Sequence, residues 1–155
     1  MIIKNKKIVI TGSSSGIGFY ITQKLLKKNK VIGISRRSKK TKYYNYQLDI
    51  NDYKQVDIFY DFCKKKLKKI DLLINCAGIT REGHDINNFT DTIYTNLIST
   101  FYLTSKLNKL MKKNSCIINI SSIAGHQAFP NNPAYNCSKA GLNMLTKSLA
   151  LDYAK

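Results

Sequence analysis

Short apolar segments alternate with longer amphipathic segments along the whole chain, and this alternation limits the fold more than any other feature. The apolar segments have the length and composition of buried strands and comprise residues 7–11, 31–35, 46–50, 72–75 and 116–121. The segments with helical spacing comprise residues 17–28, 53–69, 90–113 and 134–154. Strands that alternate with helices predict an α/β fold, in which helices cover both faces of a parallel sheet.

The length of 155 residues suits one domain with a real hydrophobic core. The chain has a net charge of +17, but 43% of its residues are hydrophobic, which argues against disorder. No apolar run reaches the roughly 18 residues that a membrane helix needs. The amino terminus also lacks the order of a signal peptide. We therefore expect a cytoplasmic protein without a membrane segment.

The positive charge comes mostly from lysines that are scattered along the chain. Ile, Asn and Tyr are also abundant, and A/T-rich codons favour all four residue types, so genome composition explains much of the charge. No zinc finger or RNP-like motif is present. We do not expect nucleic acid as a partner. A basic nucleic-acid binder is the alternative that charge alone suggests, and steeply salt-dependent binding would support it.

The cysteines and histidines do not have the spacing of a metal site. No two cysteines form a C-x-x-C pair, and no histidine lies at a zinc-ligand interval from one. We expect no metal and free thiols in a reducing compartment. The residues concerned are Cys63, Cys76, Cys116, Cys137, His84 and His126.

A glycine-rich turn, Thr11-Gly-Ser-Ser-Ser-Gly-Ile-Gly18, joins the first predicted strand to the first helix. Glycine permits a tight turn and close approach of the backbone to a phosphate, and the N–H groups at a helix start favour an anionic pyrophosphate. A P-loop would need Gly-Lys-Ser/Thr here. The alternative is a glycine turn without a ligand. We predict a dinucleotide site that includes Gly12, Ser14, Gly16, Ile17 and Gly18.

The end of the second strand indicates which dinucleotide is bound. NAD-binding folds often have an acidic residue there for the ribose hydroxyls, whereas arginine suits a 2′-phosphate. The chain has Ser35-Arg36-Arg37 and no acid. Because arginine is a permanent cation with a planar donor fork, we expect NADP, with Ser35 and Arg36 contacting it.

Tyr-x-x-x-Lys occurs four times, so the spacing alone means little. It places both side chains on one helix face, where the cation makes a phenolate easier to form. Tyr135 and Lys139 open the last helix, and the preceding strand delivers Ser122 to the carboxyl edge of the sheet, where ligands bind in open α/β folds. Residues 75–78 reach the same edge. The pairs that we expect to serve packing or the surface are Tyr20/Lys24, Tyr60/Lys64 and Tyr102/Lys106.

The chain resembles the short-chain dehydrogenase/reductase family over its whole length. The resemblance rests on motifs that occur in order: the glycine turn, Leu48-Asp-Ile50, Asn75-Cys-Ala-Gly78, Thr95-Asn96, Ile118-Asn-Ile-Ser-Ser122 and Tyr135-Asn-Cys-Ser-Lys139-Ala-Gly141. Within the family, residues 75–82 and 142–150 are similar to those of 3-oxoacyl-[acyl-carrier-protein] reductases.

The resemblance implies a catalytic role for four residues. Tyr135 would protonate the ketone oxygen as hydride arrives from the nicotinamide. Lys139 would ease ionisation of this phenol, and both residues would contact the nicotinamide ribose. Ser122 would bind the substrate oxygen, and Asn96 would anchor a water in the proton relay.

The resemblance also implies further cofactor contacts. Asp49 and Ile50 would border the adenine, and Asn75, Ala77 and Gly78 would border the adjoining ribose.

The implied activity is NADPH-dependent reduction of a ketone to a hydroxyl, in particular of 3-oxoacyl-[acyl-carrier-protein] in fatty-acid biosynthesis. The acidic acyl carrier protein would suit a chain of charge +17. Helices 90–113 and 134–154 match the pair through which the family forms homo-oligomers. The alternatives are a family member that acts on another small carbonyl or alcohol, and a dinucleotide-binding remnant without catalysis.

The chain departs from the family pattern in three places. Cys76 replaces an asparagine, and the stretch between Gly83 and Thr90 is shortened. The chain also ends after the helix that carries Tyr135, whereas the family continues. We therefore expect residues 1–155 to form a single NAD(P)-binding domain that is incomplete at its carboxyl end. Its Rossmann-type doubly wound sheet would be truncated after the fifth strand and the following helix, with that strand as an open edge.

Overall fold

The computed structural model describes residues 3–37 and 44–154. The five strands are β1 (Lys7–Thr11), β2 (Lys30–Ser35), β3 (Tyr44–Gln47), β4 (Ile70–Asn75) and β5 (Met111–Asn119). The α-helices are α1 (Gly16–Leu26), α2 (Tyr53–Leu67), α3 (Ile86–Ile93), α4 (Ser99–Asn108) and α5 (Pro133–Tyr153). A π-helical turn covers Tyr94–Ile98, and a 3-10 turn covers Ile123–Gly125.

The strands form one sheet in the order β3-β2-β1-β4-β5. β1 pairs in parallel with β2 and β4, and β2 pairs in parallel with β3. The chain thus moves outward from β1 first to one side and then to the other, as in a doubly wound sheet. The predicted α/β fold of Rossmann type is confirmed, and β5 lies at an edge of the sheet as expected.

The described residues divide into two compact units. Unit 1 comprises Met1–Ala77 and Tyr102–Ile118, and unit 2 comprises Gly78–Phe101 and Asn119–Lys155. The expectation of one domain stays a prediction.

The core of unit 1 is built by the central strands and by α2. Ile8, Val9 and Ile10 of β1 are fully buried, as continuous apolar runs are when both faces of a parallel strand are covered. Phe59 of α2 is also fully buried and belongs to the same apolar cluster as Val9. Burial of these side chains holds the end of β1, and with it the glycine turn, in a defined place.

The structure corrects three predicted elements. The fifth strand, predicted as a buried strand at 116–121, is shifted, because β5 runs from Met111 to Asn119 and none of its residues is buried. The predicted helix 90–113 has shifted bounds, because an uninterrupted helical run of α3, the π-helical turn and α4 goes from Ile86 to Asn108, and Met111 already begins β5. The predicted third strand 46–50 is shifted, because β3 ends at Gln47 and the next residues form a loop with a buried Ile50. The link 35–46, for which only a turn was expected, lies partly outside the described residues.

No helix in residues 3–37 and 44–154 is long and apolar enough to cross a membrane.

The four cysteines differ in exposure. All are free; Cys116 and Cys137 are exposed, whereas Cys63 is buried in the core. Burial raises the pKa of the Cys63 thiol to about 12. Because the thiolate is the nucleophile, we expect a disulfide reagent near pH 8 to label Cys116 and Cys137 in the native chain, and Cys63 only after unfolding. Labelling of Cys63 at the native rate of Cys116 would contradict the burial.

Candidate functional site

The glycine turn of unit 1 needs its glycines at two positions. Gly12 has a φ of +68°, and a Cβ there would lie 2.9 Å from the backbone nitrogen of Ala77. A Cβ on Gly18 would collide with the carbonyl oxygen of Gly12. The backbone of Gly12 therefore packs directly against that of Ala77, and the backbone of Gly18 against that of Gly12. Only glycine allows such close contacts, because any other residue would place a Cβ between the two segments.

The start of α1 is arranged so that it can receive an anion. The N-cap residue Ser15 makes no side-chain cap bond, and the first turn of the helix has no acidic residue. Gly16 and Ile17 are exposed, and Ser14 is half-buried. The N–H groups at a helix start and the helix dipole favour a phosphate at such a position.

Thr11 joins the end of β1 to the residues that follow β4. Its hydroxyl accepts hydrogen bonds from the backbone N–H groups of Cys76 (3.0 Å) and Ala77 (2.9 Å). The sequence analysis did not assign Thr11 a role. The available signal was a hydroxyl residue at the end of an otherwise apolar strand.

The other predicted cofactor residues of unit 1 differ in accessibility. Asn75 is 4% exposed, and its Nδ2 donates to the hydroxyl of Thr104 (2.9 Å). Ile50 belongs to the apolar core. Asp49 is half-buried, and its carboxylate accepts from the N–H of Asn51 (3.0 Å). Asp49 is thus the most accessible of the three predicted residues.

The end of β2 combines a buried hydroxyl with exposed cations. Ser35 is 6% exposed, whereas Arg36 and Arg37 are both exposed. The two guanidinium groups can therefore meet a ligand from solvent, as the prediction of a 2′-phosphate contact requires.

Unit 2 contains the Tyr135/Lys139 pair on α5. The Lys139 Nζ lies 5.5 Å from the centroid of the Tyr135 ring and donates to the carbonyl of Ile120 (2.9 Å). Lys139 is only 5% exposed, although lysine is rarely buried. A Cβ on Gly78 would lie 3.7 Å from the same Nζ, so Gly78 is close to the ammonium.

Burial, and not the distance between the two side chains, distinguishes this pair. In Tyr20/Lys24 and Tyr102/Lys106 the ammonium lies 5.1 Å and 5.3 Å from the ring, which is just as close. However, Lys24 and Lys64 are exposed, and Lys106 forms an ion pair with Asp57. The exposure of Lys24 and Lys64 and the ion pair of Lys106 are compatible with the prediction that these three pairs serve packing or the surface, which stays a prediction.

Asn96 lies inside the π-helical turn and clamps the backbone of Ile79. Its Oδ1 accepts from the N–H of Ile79 and its Nδ2 donates to the carbonyl of Ile79, both at 2.8 Å. The Nδ2 also donates to the hydroxyl of Ser138 (3.0 Å). π-helical turns are frequent at functional sites.

Ser138 is a site residue that the sequence analysis missed. It is fully buried, receives the bond from Asn96 and donates to the carbonyl of Tyr135 (2.9 Å). The signal was its place inside the Tyr-Asn-Cys-Ser-Lys motif. Ser138 thereby connects Asn96 to the first turn of α5.

The segment that leaves β5 lies against α5. The Ser121 hydroxyl donates to the carbonyl of Lys139 (3.4 Å), and a Cβ on Gly125 would lie 2.8 Å from that carbonyl. The hydroxyl of Ser122 caps the 3-10 turn by accepting from the N–H of Ala124 (3.1 Å). Unit 2 thus brings Gly78, Asn96, Tyr135 and Lys139 together beside the segment that carries Ser122.

Comparison with known proteins points to one family. The family model for short chain dehydrogenase matches residues 6–155. A 3-oxoacyl-[acyl-carrier-protein] reductase of Buchnera aphidicola is 35% identical over 99% of the chain and 70% of its own length. The chain spans about two thirds of the length of such relatives, for example 63% of an uncharacterized oxidoreductase of Bacillus subtilis.

Solved structures show the same fold. The ligand-free aldohexose dehydrogenase of Thermoplasma acidophilum superposes with a TM-score of 0.93 at 31% identity, over 97% of this chain and 62% of that one. A 4-hydroxyisoleucine dehydrogenase in complex with NADH gives a TM-score of 0.89 at 29% identity, over 97% and 70%. On its sequence motifs, its strand order and these matches, the chain belongs to the short-chain dehydrogenase family.

Proposed function

We propose that the chain is the nucleotide-binding and catalytic part of an oxidoreductase that uses NADPH to reduce a ketone to a hydroxyl. The buried Lys139 beside the Tyr135 ring carries this proposal. A buried ammonium is costly to maintain, so its retention next to a phenol indicates a chemical use for the pair.

The chain's own residues would bind the substrate oxygen and supply a proton. Tyr135 would donate its phenolic proton to the ketone oxygen, and Lys139 would stabilise the phenolate that remains. Ser122 would orient the same oxygen by a hydrogen bond. Asn96 would anchor a water, so that the phenol can be reprotonated. The nicotinamide, when bound, supplies the hydride.

The start of α1 in unit 1 supports a dinucleotide cofactor, because Gly16 and Ile17 are exposed there and neither an acidic residue nor a side-chain cap occupies the first turn. That arrangement suits a pyrophosphate. We infer NADP rather than NAD because exposed Arg36 and Arg37 follow β2, where an acid would serve NAD.

Arg36→Asp tests the choice of cofactor. We expect the affinity for NADPH to fall about 10- to 100-fold, since a charge-assisted bond to the 2′-phosphate is replaced by repulsion. The affinity for NADH should change much less. Titration of cofactor fluorescence measures both. The matched control is Lys27→Asp, the same charge change at an exposed residue of unit 1. An equal fall in both variants would contradict a specific contact.

We further propose a 3-oxoacyl thioester as the substrate and the acidic acyl carrier protein as its carrier. Similarity of residues 75–82 and 142–150 to reductases of this kind supports the proposal, as does the net charge of +17. The test is NADPH oxidation with an acetoacetyl thioester and, in parallel, with small free ketones. Turnover of the thioester alone is expected. Turnover of free ketones alone would favour a different substrate class.

A second candidate function is dinucleotide binding without catalysis. The closed glycine turn and the uncapped start of α1 favour this candidate, because they would suit a dinucleotide whether or not Tyr135 acts in catalysis. NADPH binding with no oxidation by any ketone would support it.

A further inference from the structure

Two side chains of β3 hold the backbone of the arginine segment, by which we mean Arg36 and Arg37. Asn45 Nδ2 donates to the carbonyl of Arg37 (3.3 Å), and Gln47 Nε2 donates to the carbonyl of Arg36 (3.2 Å). The Ser35 hydroxyl donates to the same Arg37 carbonyl (2.8 Å). Three donors therefore converge on two successive carbonyls of a segment whose side chains are exposed.

Asn45 also connects this segment to the glycine turn. Its Oδ1 lies within hydrogen-bond distance of the Ser13 hydroxyl (3.1 Å), and its Nδ2 donates to the Ser35 hydroxyl (3.1 Å). The backbone N–H of Ser13 in turn donates to the carbonyl of Ile34 (3.1 Å). One carboxamide thus bonds both to the turn that follows β1 and to the residues that end β2.

We propose that Asn45 and Gln47 are positioning residues that hold the arginine segment ready for the 2′-phosphate of the cofactor. The proposal rests on the proposed use of NADP. Neither side chain needs to touch the phosphate; both act through the arginines. Ordering a loose backbone and a long side chain on binding costs free energy, and a backbone already held by hydrogen bonds avoids part of this cost.

The test is calorimetric titration of the chain with two probes, adenosine 2′,5′-bisphosphate and 5′-AMP. The wild-type chain should bind the bisphosphate more tightly, because only this probe has the 2′-phosphate. Asn45→Ala and Gln47→Ala should each lower the ratio of the two affinities about three- to tenfold. Gln47→Ala keeps all contacts of the glycine turn, so its affinity for 5′-AMP should change less than twofold.

Asn29→Ala is the matched control. The Asn29 carboxamide also bonds to backbone groups of unit 1, namely the N–H of Lys6 and the carbonyl of Leu25, but it precedes β2. This variant should lose stability without a change in the affinity ratio. Because Gln47 is exposed, we expect Gln47→Ala to fold. This variant therefore tests the positioning role even if Asn45→Ala does not fold.

The outcomes separate this inference from the proposed cofactor. A wild-type chain without preference for the bisphosphate would overturn both. A preference that persists in Asn45→Ala and Gln47→Ala would overturn the positioning role and leave the use of NADP intact. An equal fall of the ratio in Asn29→Ala would also overturn it, since general destabilisation would then explain the effect.

Discussion

Tyr135→Phe is expected to lower kcat of the enzyme by about 10²- to 10⁴-fold, the usual contribution of a positioned general acid. The substitution removes only the phenolic hydroxyl. The ring that lies 5.5 Å from the Lys139 ammonium is retained, so the fold and the burial of Lys139 should persist. NADPH affinity should change little in comparison with kcat. Steady-state NADPH oxidation and a separate cofactor titration measure the two quantities.

Tyr20→Phe is the matched control, because Tyr20 also has a lysine ammonium over its ring, at 5.1 Å, but is 62% exposed. It should leave kcat unchanged. If Tyr135→Phe kept full turnover, as Tyr20→Phe is expected to do, Tyr135 would not be the proton donor and the proposed mechanism would be wrong.

Gly18→Ala is expected to abolish detectable dinucleotide binding and to destabilise the chain by about 1–3 kcal/mol or more, as overpacking against rigid atoms does. The new Cβ would collide with the carbonyl oxygen of Gly12 and lie 2.9 Å from its carbonyl carbon. Neither is the end of a flexible side chain, so the turn itself must shift. Urea unfolding gives the stability, and NADPH titration gives the binding.

Gly16→Ala distinguishes crowding from backbone strain. Gly16 has a φ of +53°, but a Cβ there would meet nothing within 4 Å. We expect a loss of about 1–2 kcal/mol from the left-handed backbone alone, with measurable NADPH binding. Equal loss of binding in both variants would show that crowding at Gly18 is not the decisive factor.

The sheet and the glycine turn could be predicted because the residues that indicate each of them are neighbours in the sequence. β1 was predicted with its observed bounds, since a continuous apolar run before a glycine turn has few other interpretations. The predicted helix 90–113 lacks the π-helical turn for a reason that is not local. That turn, at Tyr94–Ile98, coincides with the clamp between Asn96 and Ile79, which are 17 positions apart. Periodicity within a window does not reveal such a bond.

The candidate site could be predicted only in part, for the same reason. The sequence has four Tyr-x-x-x-Lys pairs, and the motif around Tyr135 singles out one of them. The property that physically distinguishes Lys139 is its burial, which depends on the segment around Ile120 packing against α5. Ser138 was missed although it lies inside the motif around Tyr135, because the sequence does not show that this serine is buried and bonded to Asn96.

The bonds from Asn96 to Ile79 affect which substitutions the loop between β4 and α3 can accept during evolution. Both bonds engage main-chain atoms, which every residue except proline provides in full. The two bonds do not depend on the side chain at position 79. Many residue types could therefore replace Ile79 without a change in the path of the backbone. The constraint falls instead on position 96, where the carboxamide must be retained.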